Sequence, residues 1–544
     1  MVTSEPDFDE RALYTWQLDA LTSWLSCGRR GVVEAVTGSG KTDVAIAATA
    51  DALRRGRFVL VVVPSRVLME QWHGRLRTAL PAARIGRLGD SGRDDASSCD
   101  VLVATRHSAA AYKPVPPGKA GGLLIADECH GLGGGVLRRA LLPQYDERLG
   151  LTATLERSDD AVTDLLLPYF GGICHRYGFD QAIADGVCAP PRVAFVGVPL
   201  TVAERAEYIA TEQQLVSARN HLRQIADMPL EPFGDFLAAV AHLAERDAGA
   251  DGRAAREYLD AFSKRRQIVA QTSGKYELLG SLASAIRDAD GALVFTETVR
   301  AANHAINRLD PLVSIDVITG STARAQRRDI LDDLRVSKLD AVAAPRVLDE
   351  GIDVPDANLG IVMSASRTRR QMIQRMGRIL RRKRPGIAAR FVIMFAQDTL
   401  EDPANHVERD GFLDEIERIS DASGIFENAQ FEQLGAFLAE PGPKLVPEPA
   451  RVDRAQVDEA FRLHVAPPPR GRRDAAPYLE LALSNLPAVA KPRVEPKRLS
   501  TGREPLEIAR IGSAWRISCT GCGEASPLVE FRWQVLDQTV ACRC

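Results

Sequence analysis

The sequence predicts an α/β protein with two parallel β-sheets of similar size, a helical connector between them and a small cysteine-containing module at the C-terminal end. Two series of short Val, Ile and Leu runs, separated by polar turns and helical stretches, indicate the sheets. Such runs are typical of parallel strands that are covered on both faces. The segment between the series is rich in Ala, Glu, Arg and Leu and has almost no strand pattern. Four of the nine cysteines lie in the last 26 residues and indicate the module.

The first sheet is predicted within a domain at residues 1–195, and the helical connector follows at 196–275. A second domain is predicted at 276–420. The strand runs of the first domain are GVVEAV, RFVLVVVP, DVLVAT, GLLIADE and RLGLTAT. Those of the second are GALVFTE, VSIDVITG, LDAVAA, LGIVMSA and ARFVIMF. We therefore expect two separate sheets, not one large sheet.

The remainder of the chain is predicted as a helical tail with a Pro-rich linker, at 421–505, and as the cysteine module, at 506–544. Residues 441–505 contain 12 of the 31 prolines, which favours a semi-extended linker. One short helix is expected in it, at YLELALSNL.

Composition excludes several classes of protein. The 544 residues are 45% hydrophobic and 26% charged, which is typical of globular proteins. The longest apolar runs, such as FVLVVVP, are far shorter than the roughly 20 residues that cross a bilayer. The first residues, MVTSEPDFDE, lack the apolar region of a signal peptide. We therefore expect a cytoplasmic protein without a membrane partner. Because the net charge is −3, any nucleic-acid site must be a local groove.

A glycine-rich stretch, EAVTGSGKTDVAIAA, lies between an apolar strand and an Ala-rich helix. Its glycines let backbone N–H groups wrap a polyphosphate, and the helix N-terminus adds partial positive charge. Lys41 is expected to reach the β- and γ-phosphates of ATP, and Thr42 to bind Mg²⁺. Ala35 replaces the first glycine of the usual pattern, so a chance Gly-rich turn is the alternative interpretation. The predicted nucleotide-binding residues here are Thr37, Gly38, Ser39, Gly40, Lys41 and Thr42.

Another apolar run, LLIADE, ends in two carboxylates about 85 residues after the glycine-rich stretch. In phosphate-loop ATPases such a strand lies near the loop, so its first acid holds Mg²⁺ and its second orients and deprotonates the attacking water. Asp127 and Glu128 are predicted for these roles. Cys129 and His130 follow, but four consecutive residues cannot all point at one tetrahedral zinc ion. The sequence therefore predicts a magnesium site here and not a zinc site.

Four motifs together resemble the superfamily 2 helicases and translocases. AVTGSGKT, DECH, TAT and QRMGRILR occur in the order and approximate spacing of that family. The runs VVVPSRVLMEQW, LGLTATLER and VLDEGIDVPDANLGIVMSASRTRRQMIQRMGRILR resemble its XPB-like branch, which includes the DNA translocase of the transcription and repair factor TFIIH. The resemblance covers about residues 10–420. It implies two tandem RecA-like domains, ATP with Mg²⁺, and DNA as the polymer, favoured over RNA.

In the first domain, the resemblance implies further site residues. Gln17, in YTWQLDAL, would read the adenine edge of ATP. His130 and Thr152, with Thr154 of the same TAT motif, would couple the nucleotide state to the nucleic-acid track.

In the second domain, the resemblance implies that Gly351 and Asp353 line the cleft and that Gln374 bridges it. Arg378 and Arg381 would act as cationic fingers on the γ-phosphate, and a well-placed arginine accelerates phosphoryl transfer by about 10³ to 10⁵. In a helix, residues 374, 378 and 381 would share one face, which supports this assignment.

Four residues, Ser65, Arg66, Thr105 and Arg106, stand where members of the family touch the phosphate backbone of nucleic acid, and strand-end capping is the alternative interpretation. Residues 367–384 contain nine Lys or Arg and no acid, which fits either a phosphate-binding surface or a solvated helix end. Pro345 stands where relatives commonly have Thr or Ser, so one phosphate contact is missing. Arg346 is a candidate substitute.

The last cysteines form the pairs Cys519-x₂-Cys522 and Cys542-x-Cys544, separated by 19 residues. The first pair has the spacing of structural zinc sites, and LVEFRWQVL resembles a strand of a small zinc ribbon. The alternative is a frayed tail with two reactive thiol pairs. A zinc module would guide the protein to nucleic acid or bind another protein.

The sequence as a whole predicts an ATP-dependent helicase or translocase that acts on DNA, with repair, restriction or anti-phage defence as possible settings. One alternative is an RNA helicase or an RNA-sensing ATPase. Another is a nucleotide-gated scaffold that recruits partner enzymes, and Pro345 is the feature that favours it.

Overall fold

The structure is a computed structural model, and the chain divides into two compact units, residues 1–473 and 474–544. In the first unit it describes residues 13–89, 92–117, 121–157, 159–225, 228–230, 233–345, 357–363, 377, 379–402, 416–444 and 446–464. In the second unit it describes the backbone of residues 500–501, 504–511 and 514–519.

The first sheet has eight strands. They are β1 (Arg30–Ala35), β2 (Phe58–Val63), β3 (Ile85–Gly89), β4 (Gly92–Arg93), β5 (Val101–Thr105), β6 (Gly122–Asp127), β7 (Glu147–Thr152) and β8 (Ile173–Tyr177). Their order is β4-β3-β5-β2-β6-β7-β1-β8, and all neighbours are parallel except β3 and β4. The accompanying helices are α1 (Thr15–Ser26), α2 (Lys41–Arg54), α3 (Arg66–Ala79), α4 (Arg106–Tyr112), α5 (Leu167–Phe170) and α6 (Phe179–Ala184).

The second sheet has seven strands, all parallel to their neighbours. They are β9 (Pro191–Val198), β10 (Ala292–Thr296), β11 (Ile315–Val317), β12 (Ala341–Pro345), β13 (Leu359–Val362), β14 (Ala389–Ala396) and β15 (Ala422–Glu427). Their order is β11-β12-β10-β13-β14-β9-β15. Strand β9 pairs with β14 along its full length, so the predicted domain boundary at residue 195 falls inside a strand of the second sheet.

The connector between the lobes consists of three helices, α7 (Val202–Leu222), α8 (Phe233–Arg246) and α9 (Ala250–Ala270). They have their own small core, which includes Leu222, Phe236, Val240 and Tyr258. The second lobe continues with α10 (Ser273–Ser281), α11 (Ala283–Arg287), α12 (Val299–Leu309) and α13 (Arg324–Arg335).

The strands of both sheets are covered on both faces, as their apolar sequences predicted. All six residues of β2 and all five of β10 are buried, because helices cover both faces of each sheet. The prediction of two parallel-sheet α/β domains is therefore confirmed. Among the helices that the structure describes, none combines the length and the apolar character required to cross a membrane.

The chain beyond β15 returns to the first lobe. Helix α14 (Phe431–Ala439) packs on the second sheet, and α15 (Arg454–Leu463) packs against α1. We call residues 446–464 the C-terminal strap. Helix α15 lies inside the stretch that composition predicted as a Pro-rich linker, whereas the helix predicted at YLELALSNL lies outside the described residues.

In the second unit, β16 (Ser500–Thr501), β17 (Glu504–Ile511) and β18 (Ala514–Cys519) form an antiparallel sheet. Cys519 is the last residue of β18, and its side chain is not described. Cys522, Cys542 and Cys544 lie outside the described residues, and so does the strand predicted at LVEFRWQVL.

Candidate active site

The glycine-rich loop connects β1 to α2, as predicted. Gly38 and Gly40 have φ angles of 83° and 94°, in the left-handed region that favours glycine. A Cβ atom on Gly40 would lie 2.5 Å from Nε2 of Gln17. Ser39 is buried, and its hydroxyl donates to the carbonyl oxygen of Val36 at 2.7 Å. The loop is therefore a tight turn whose backbone leaves room for a ligand only because glycines stand at its bends.

Lys41 is the first residue of α2. Its Nζ donates to the carbonyl oxygens of Ala35 at 2.7 Å and Val36 at 3.2 Å. Burial lowers the pKa of this ammonium group, and the nearby charges of Glu128 and Asp127 offset part of that effect. The positive charge thus lies between the loop backbone and the two carboxylates. Thr42 follows as the second residue of the helix and is partly buried.

Gln17 is 2% exposed and both ends of its amide are engaged. The oxygen accepts from the backbone N–H of Tyr14 at 2.8 Å, and Nε2 donates to the carbonyl oxygen of Gly40 at 3.0 Å. These bonds attach the start of α1 to the phosphate loop. The adenine contact predicted for Gln17 would require it to exchange one of these hydrogen bonds for a bond to the base.

Asp127 ends β6, and its Oδ2 accepts a hydrogen bond from the indole N–H of Trp72 at 2.8 Å. Burial and the charge of Glu128 raise the pKa of this carboxyl to about 6, although the Trp72 bond lowers it. Two acids that disfavour each other's charge in a buried corner form a natural binding site for a divalent cation. Their oxygens, with the Thr42 hydroxyl, are the donors that Mg²⁺ prefers, so the residues fit this ion.

Glu128 has a φ of 48° and a ψ of 52°, which is unusual for a residue with a side chain. Strained backbone of this kind costs about 1–3 kcal/mol and clusters at active sites. The conformation turns the chain sharply after β6. His130 Nδ1 lies 3.0 Å from the Thr152 hydroxyl and 3.4 Å from a Glu128 oxygen.

The Thr152 hydroxyl donates to the carbonyl oxygen of Thr154 at 2.8 Å and lies 3.4 Å from Glu128 Oε2. The structure thus joins Glu128, His130, Thr152 and Thr154 in one polar cluster. It links the end of β6 to the end of β7. Among the described residues, the buried Thr154 hydroxyl has no hydrogen-bond partner.

The second lobe reaches the phosphate loop through Gly377 and Arg381. A Cβ atom on Gly38 would lie 2.8 Å from the carbonyl oxygen of Gly377 and 3.3 Å from Cγ of Arg381. Arg381 forms an antiparallel β-bridge with Cys188 and is therefore not part of a helix, so the helical-face argument does not hold for Arg381. Its side chain nevertheless lies beside the loop, where a cationic finger is required.

Five other predicted site residues of the second lobe lie outside the described residues. They are Arg346, Gly351, Asp353, Gln374 and Arg378. Pro345 is described, and it ends β12 in register with Thr296 of β10.

The residues predicted to touch nucleic acid begin two helices. The Ser65 hydroxyl accepts from the N–H of Leu68 and caps α3, and the Thr105 hydroxyl accepts from the N–H of Ser108 and caps α4. The observed contacts of Ser65 and Thr105 are therefore those of helix capping, the alternative interpretation of these residues. Arg66 is exposed. A Cβ atom on Gly131, beside the DECH motif, would lie 2.9 Å from a guanidinium nitrogen of Arg106.

Two functional contacts were missed at the sequence level. Trp72 was noted only as part of a family motif, although Met69, Trp72 and Leu76 form the buried stripe of α3. Arg157 donates to the carbonyl oxygen of His130 at 2.9 Å and pairs with Asp159. Met69, Trp72 and Leu76 have helical spacing, from which a buried Trp72 could have been predicted, but no sequence pattern indicates which acid accepts its N–H.

The described residues contain no group of three or more His, Cys, Asp or Glu side chains placed to hold a metal ion. Three of the four cysteines predicted to bind zinc, and the side chain of the fourth, are not among those residues.

Two conserved domain families match the chain. The Type III restriction enzyme res subunit family matches residues 10–157, and the helicase conserved C-terminal domain family matches residues 274–383. The first match contains the phosphate loop and the DECH motif, and the second contains residues 374–381.

Curated relatives extend the match over both lobes. The DNA 3'-5' translocase XPB2 of Sulfurisphaera tokodaii is 31% identical over 381 residues, which are 69% of this chain and 80% of that protein. The putative DNA 3'-5' helicase Rad25 of Halobacterium salinarum is 28% identical over 68% of this chain and 52% of its own length. The general transcription and DNA repair factor IIH helicase/translocase subunit XPB of Danio rerio is 26% identical over 71% of this chain and 44% of its own. The chain thus spans about half the length of some of these relatives.

Solved structures support the fold. The structure of S. cerevisiae Dbp5 bound to RNA and ADP BeF3 resembles the chain with a TM-score of 0.50 and 13% identity, over 78% of this chain and 92% of that one. This likeness concerns the fold alone. The 31% identity to a translocase over 80% of that relative's length, with the two matched domain families, shows that the chain belongs to the XPB-like branch of the superfamily 2 helicases and translocases, which are ATP-hydrolysing enzymes.

Proposed function

We propose that this protein is an Mg·ATP-driven motor that translocates along DNA or unwinds it. The observation that carries the proposal is the meeting of two lobes at one nucleotide site, where Arg381 of the second lobe lies beside Gly38 of the phosphate loop. A site shared by two lobes converts hydrolysis into a change of their separation. The preference for DNA rests on the names of the curated relatives.

The first lobe binds the triphosphate in this proposal. The backbone N–H groups of Gly38, Ser39 and Gly40 wrap the phosphates, and Lys41 leaves the carbonyl oxygens of its own loop to neutralise them. Asp127 and the Thr42 hydroxyl hold the Mg²⁺ ion, which supplies charge neutralisation at the phosphates when bound.

Glu128 orients a water molecule toward the γ-phosphorus and accepts its proton as the water oxygen bonds to phosphorus and the bond to the ADP oxygen breaks. Arg381, with Arg378 beside it in sequence, stabilises the charge that develops on the transferred phosphoryl group. The cluster of His130, Thr152 and Thr154 touches Glu128, so it reports the state of the γ-phosphate to the end of β7.

Nucleic acid lies across the loops that follow β2 and β5 in this proposal. Arg66 and Arg106, at the starts of α3 and α4, contact its phosphates. Such contacts fix the register of the protein on the nucleic acid without reading its sequence. Arg346 contributes a phosphate contact from the second lobe, whereas Gly351 and Asp353 line the nucleotide cleft. The domain limits at 275, 420 and 505 remain part of the proposal, whereas the limit proposed at 195 moves to the start of β9, which belongs to the second sheet.

The experiment that tests the proposal is steady-state ATP hydrolysis with no polymer, single-stranded DNA, duplex DNA and RNA, at several salt concentrations. Stimulation by DNA that weakens as salt rises supports a DNA motor that binds phosphates. Glu128→Gln is the inactive control. Stimulation by RNA alone would replace DNA with RNA as the substrate, and hydrolysis that ignores every polymer would contradict the motor.

One observation favours a second function, that of a nucleotide-gated scaffold. Pro345 is buried at the end of β12 and provides neither a hydroxyl nor an N–H at a position where the family resemblance implies a hydroxyl. A scaffold of this type would bind ATP and a protein partner with little turnover. Pro345→Thr tests this function, because a motor lacking one phosphate contact should gain DNA-stimulated turnover, whereas a scaffold should not.

We also propose that Cys519, Cys522, Cys542 and Cys544 hold a structural Zn²⁺ ion and that the module binds a protein partner or nucleic acid. Their spacing and the strand that leads into Cys519 support the proposal. Metal analysis of the purified protein should find about one zinc per chain, and Cys519→Ser with Cys522→Ser should remove it.

A further inference from the structure

The C-terminal strap lies beyond both matched domain families, yet it is built into the first lobe. The backbone N–H of Thr15 donates to the carbonyl oxygen of Ala450 at 3.0 Å, and that of Val452 donates to Leu13 at 2.8 Å. Tyr14 and Arg451 form an antiparallel bridge between these bonds. The strap therefore pairs with the residues that lead directly into α1.

The rest of the strap is anchored by apolar packing and polar contacts. Val457, Ala460 and Phe461 are buried against the first lobe. Asp458 pairs with Arg54 of α2 at 3.0 Å, and the Arg54 guanidinium lies over the Phe461 ring. His464 contacts Ser26 at the end of α1 at 3.0 Å. Two helices of the nucleotide-binding lobe thus hold the strap in one position.

The pairing brings a guanidinium and a phenol ring together at a residue whose backbone is linked to the phosphate loop. The Arg451 guanidinium lies 4.7 Å from the centre of the Tyr14 ring, and a guanidinium nitrogen lies 3.4 Å from the Tyr14 hydroxyl. The backbone N–H of Tyr14 donates to Gln17, whose amide donates in turn to Gly40 of the loop. In this series of hydrogen bonds, Gln17 is therefore the single residue between Tyr14 and the backbone of the phosphate loop.

We propose that the C-terminal strap completes the base side of the nucleotide site, with Arg451 and Tyr14 as the pair that holds the base of ATP. The inference rests on the proposed function of the phosphate loop and adds the segment that recognises the other end of the same substrate. A nucleoside triphosphate bound through its phosphates extends its base away from the loop. A planar guanidinium and a phenol ring are both surfaces on which a purine stacks.

The pair also links nucleotide binding to the position of the strap. The base stabilises the strap on α1, since it contacts a residue from each, and the docked strap in turn raises the affinity for ATP. This reciprocity follows from linkage. The same strap is joined to the second lobe, because Arg382 donates to the carbonyl oxygen of Pro447 and pairs with Glu448.

The experiment compares two ligands of the full-length protein, ATP and inorganic triphosphate, by competition against a fluorescent ATP analogue. Arg451→Ala keeps the backbone bridge and removes the guanidinium. It should weaken ATP binding by about threefold to tenfold, the range expected for one cation–π or stacking contact. The affinity for inorganic triphosphate, which has no base, should not change. Arg451→Lys should restore part of the ATP affinity, and Arg462→Ala, which removes an exposed arginine of α15, should change neither ligand.

Each possible result either supports or overturns the proposed role of Arg451 and Tyr14. Equal weakening of both ligands would mean that Arg451 only supports the phosphate loop, and this would overturn the proposal, as would unchanged binding of ATP. Tyr14→Leu should reproduce the selective loss of ATP, and the double variant with Arg451→Ala should lose no more than about the larger single loss. Lys41→Ala separates the two proposals, since failure of that variant to weaken inorganic triphosphate would overturn the phosphate-loop assignment itself.

Discussion

The hydrogen bond from Trp72 to Asp127 shows how one side chain outside the predicted site positions a residue within it. Trp72 is 2% exposed on α3, and its indole N–H is 2.8 Å from Asp127 Oδ2. A carboxylate with one oxygen fixed in this way presents its other lone pairs in a defined direction. Because α3 begins at Arg66, one of the proposed nucleic-acid contacts, the same helix joins the proposed DNA track to the proposed magnesium ligand.

Trp72→Phe keeps most of the buried ring and removes only the N–H. A hydrogen bond to a charged group contributes about 1.5–3 kcal/mol, so the Mg²⁺ concentration for half-maximal ATP hydrolysis should rise by about tenfold. Magnesium titration of hydrolysis measures this, and Mg²⁺-dependent binding of a fluorescent ATP analogue measures it without turnover. Trp24→Phe is the matched control, since it removes a buried indole bond to the carbonyl oxygen of Arg148, away from the site. An equal rise in both variants would mean that general destabilisation is the cause.

His175 makes the stability of the first lobe depend on pH. Its ring stacks on Trp16, its Nε2 is buried without a hydrogen bond among the described residues, and burial lowers its pKa to about 4. In the unfolded chain the same ring takes up a proton near pH 6.5. The unfolded state therefore binds more protons between these values, and stability must fall as pH drops from about 6.5 toward 4.

His175→Phe removes this titration and keeps the stacking on Trp16. The wild type should lose about 2 kcal/mol relative to the variant between pH 7 and pH 4.5, given about 1.4 kcal/mol per pKa unit and partial exposure of the ring. Thermal unfolding of both proteins across this range measures the difference. A substitution of the exposed His107 should leave the pH dependence of the wild type intact. Parallel curves for wild type and His175→Phe would contradict the argument.

At the scale of single residues, the sequence predicted the site residues whose positions are specified by consecutive residues of the chain. Gly38, Lys41 and Asp127 lie where the loop and strand patterns placed them, because a phosphate loop is specified by consecutive residues. The hydrogen bond from Trp72 and the bridge of Arg381 to Cys188 were not predicted, because each joins residues far apart in the chain. Such contacts depend on how whole elements pack.

At the scale of elements, the turn between β1 and α2 shows why conformation and space must be considered together. Gly38 and Gly56 both have positive φ angles, 83° and 68°. Any other residue is strained at either position. Only Gly38 lies against the second lobe, since a Cβ atom there meets Gly377, whereas one on Gly56 meets no atom of the described chain within 4 Å.

Gly38→Ala should therefore lower ATP turnover by at least about tenfold, because strain and the contact with Gly377 together disturb the loop. Gly56→Ala should cost about 1 kcal/mol of stability and leave turnover unchanged. Steady-state hydrolysis and thermal unfolding of the two variants make the comparison. Loss of turnover in both would show that backbone strain alone explains the effect.

Elements with strong periodic patterns were predicted, and those fixed by tertiary partners were not. Five strands of each series appear where apolar runs placed them. Strand β9 was not assigned to the second sheet, because nothing local indicates that PRVAFVGV pairs with β14 across roughly 190 residues. Helix α15 was not predicted because it lies in a Pro-rich stretch, although Asp453 and Gln456 form a capping box at its start.

At the scale of the whole molecule, the strap joins two lobes that the motor cycle must move. Its first residues contact Arg382 of the second lobe, and its helix is buried on the first. Between them, a Cβ atom on Gly186 would overlap the carbonyl oxygen of Pro447, so the strap crosses the interlobe segment at a point that only glycine permits. A connection of this kind limits how far the two lobes can separate. The strap must therefore bend or detach in each cycle of ATP hydrolysis.

Gly186→Ala should detach the strap while leaving the phosphate loop in place. The new methyl group displaces Pro447, and α15 then loses part of the contact that holds it on α1. Hydrogen exchange should become faster in residues 454–463 and 15–26, and the rate of DNA-stimulated hydrolysis should change relative to the rate without DNA. Gly28→Ala is the matched control, because Gly28 has a similar φ of 67° but no neighbouring atom of the described chain within 4 Å of an added Cβ. Equal exchange in the two variants would mean that strain at a left-handed residue is felt generally, and that Pro447 has no special part in holding the strap between the lobes.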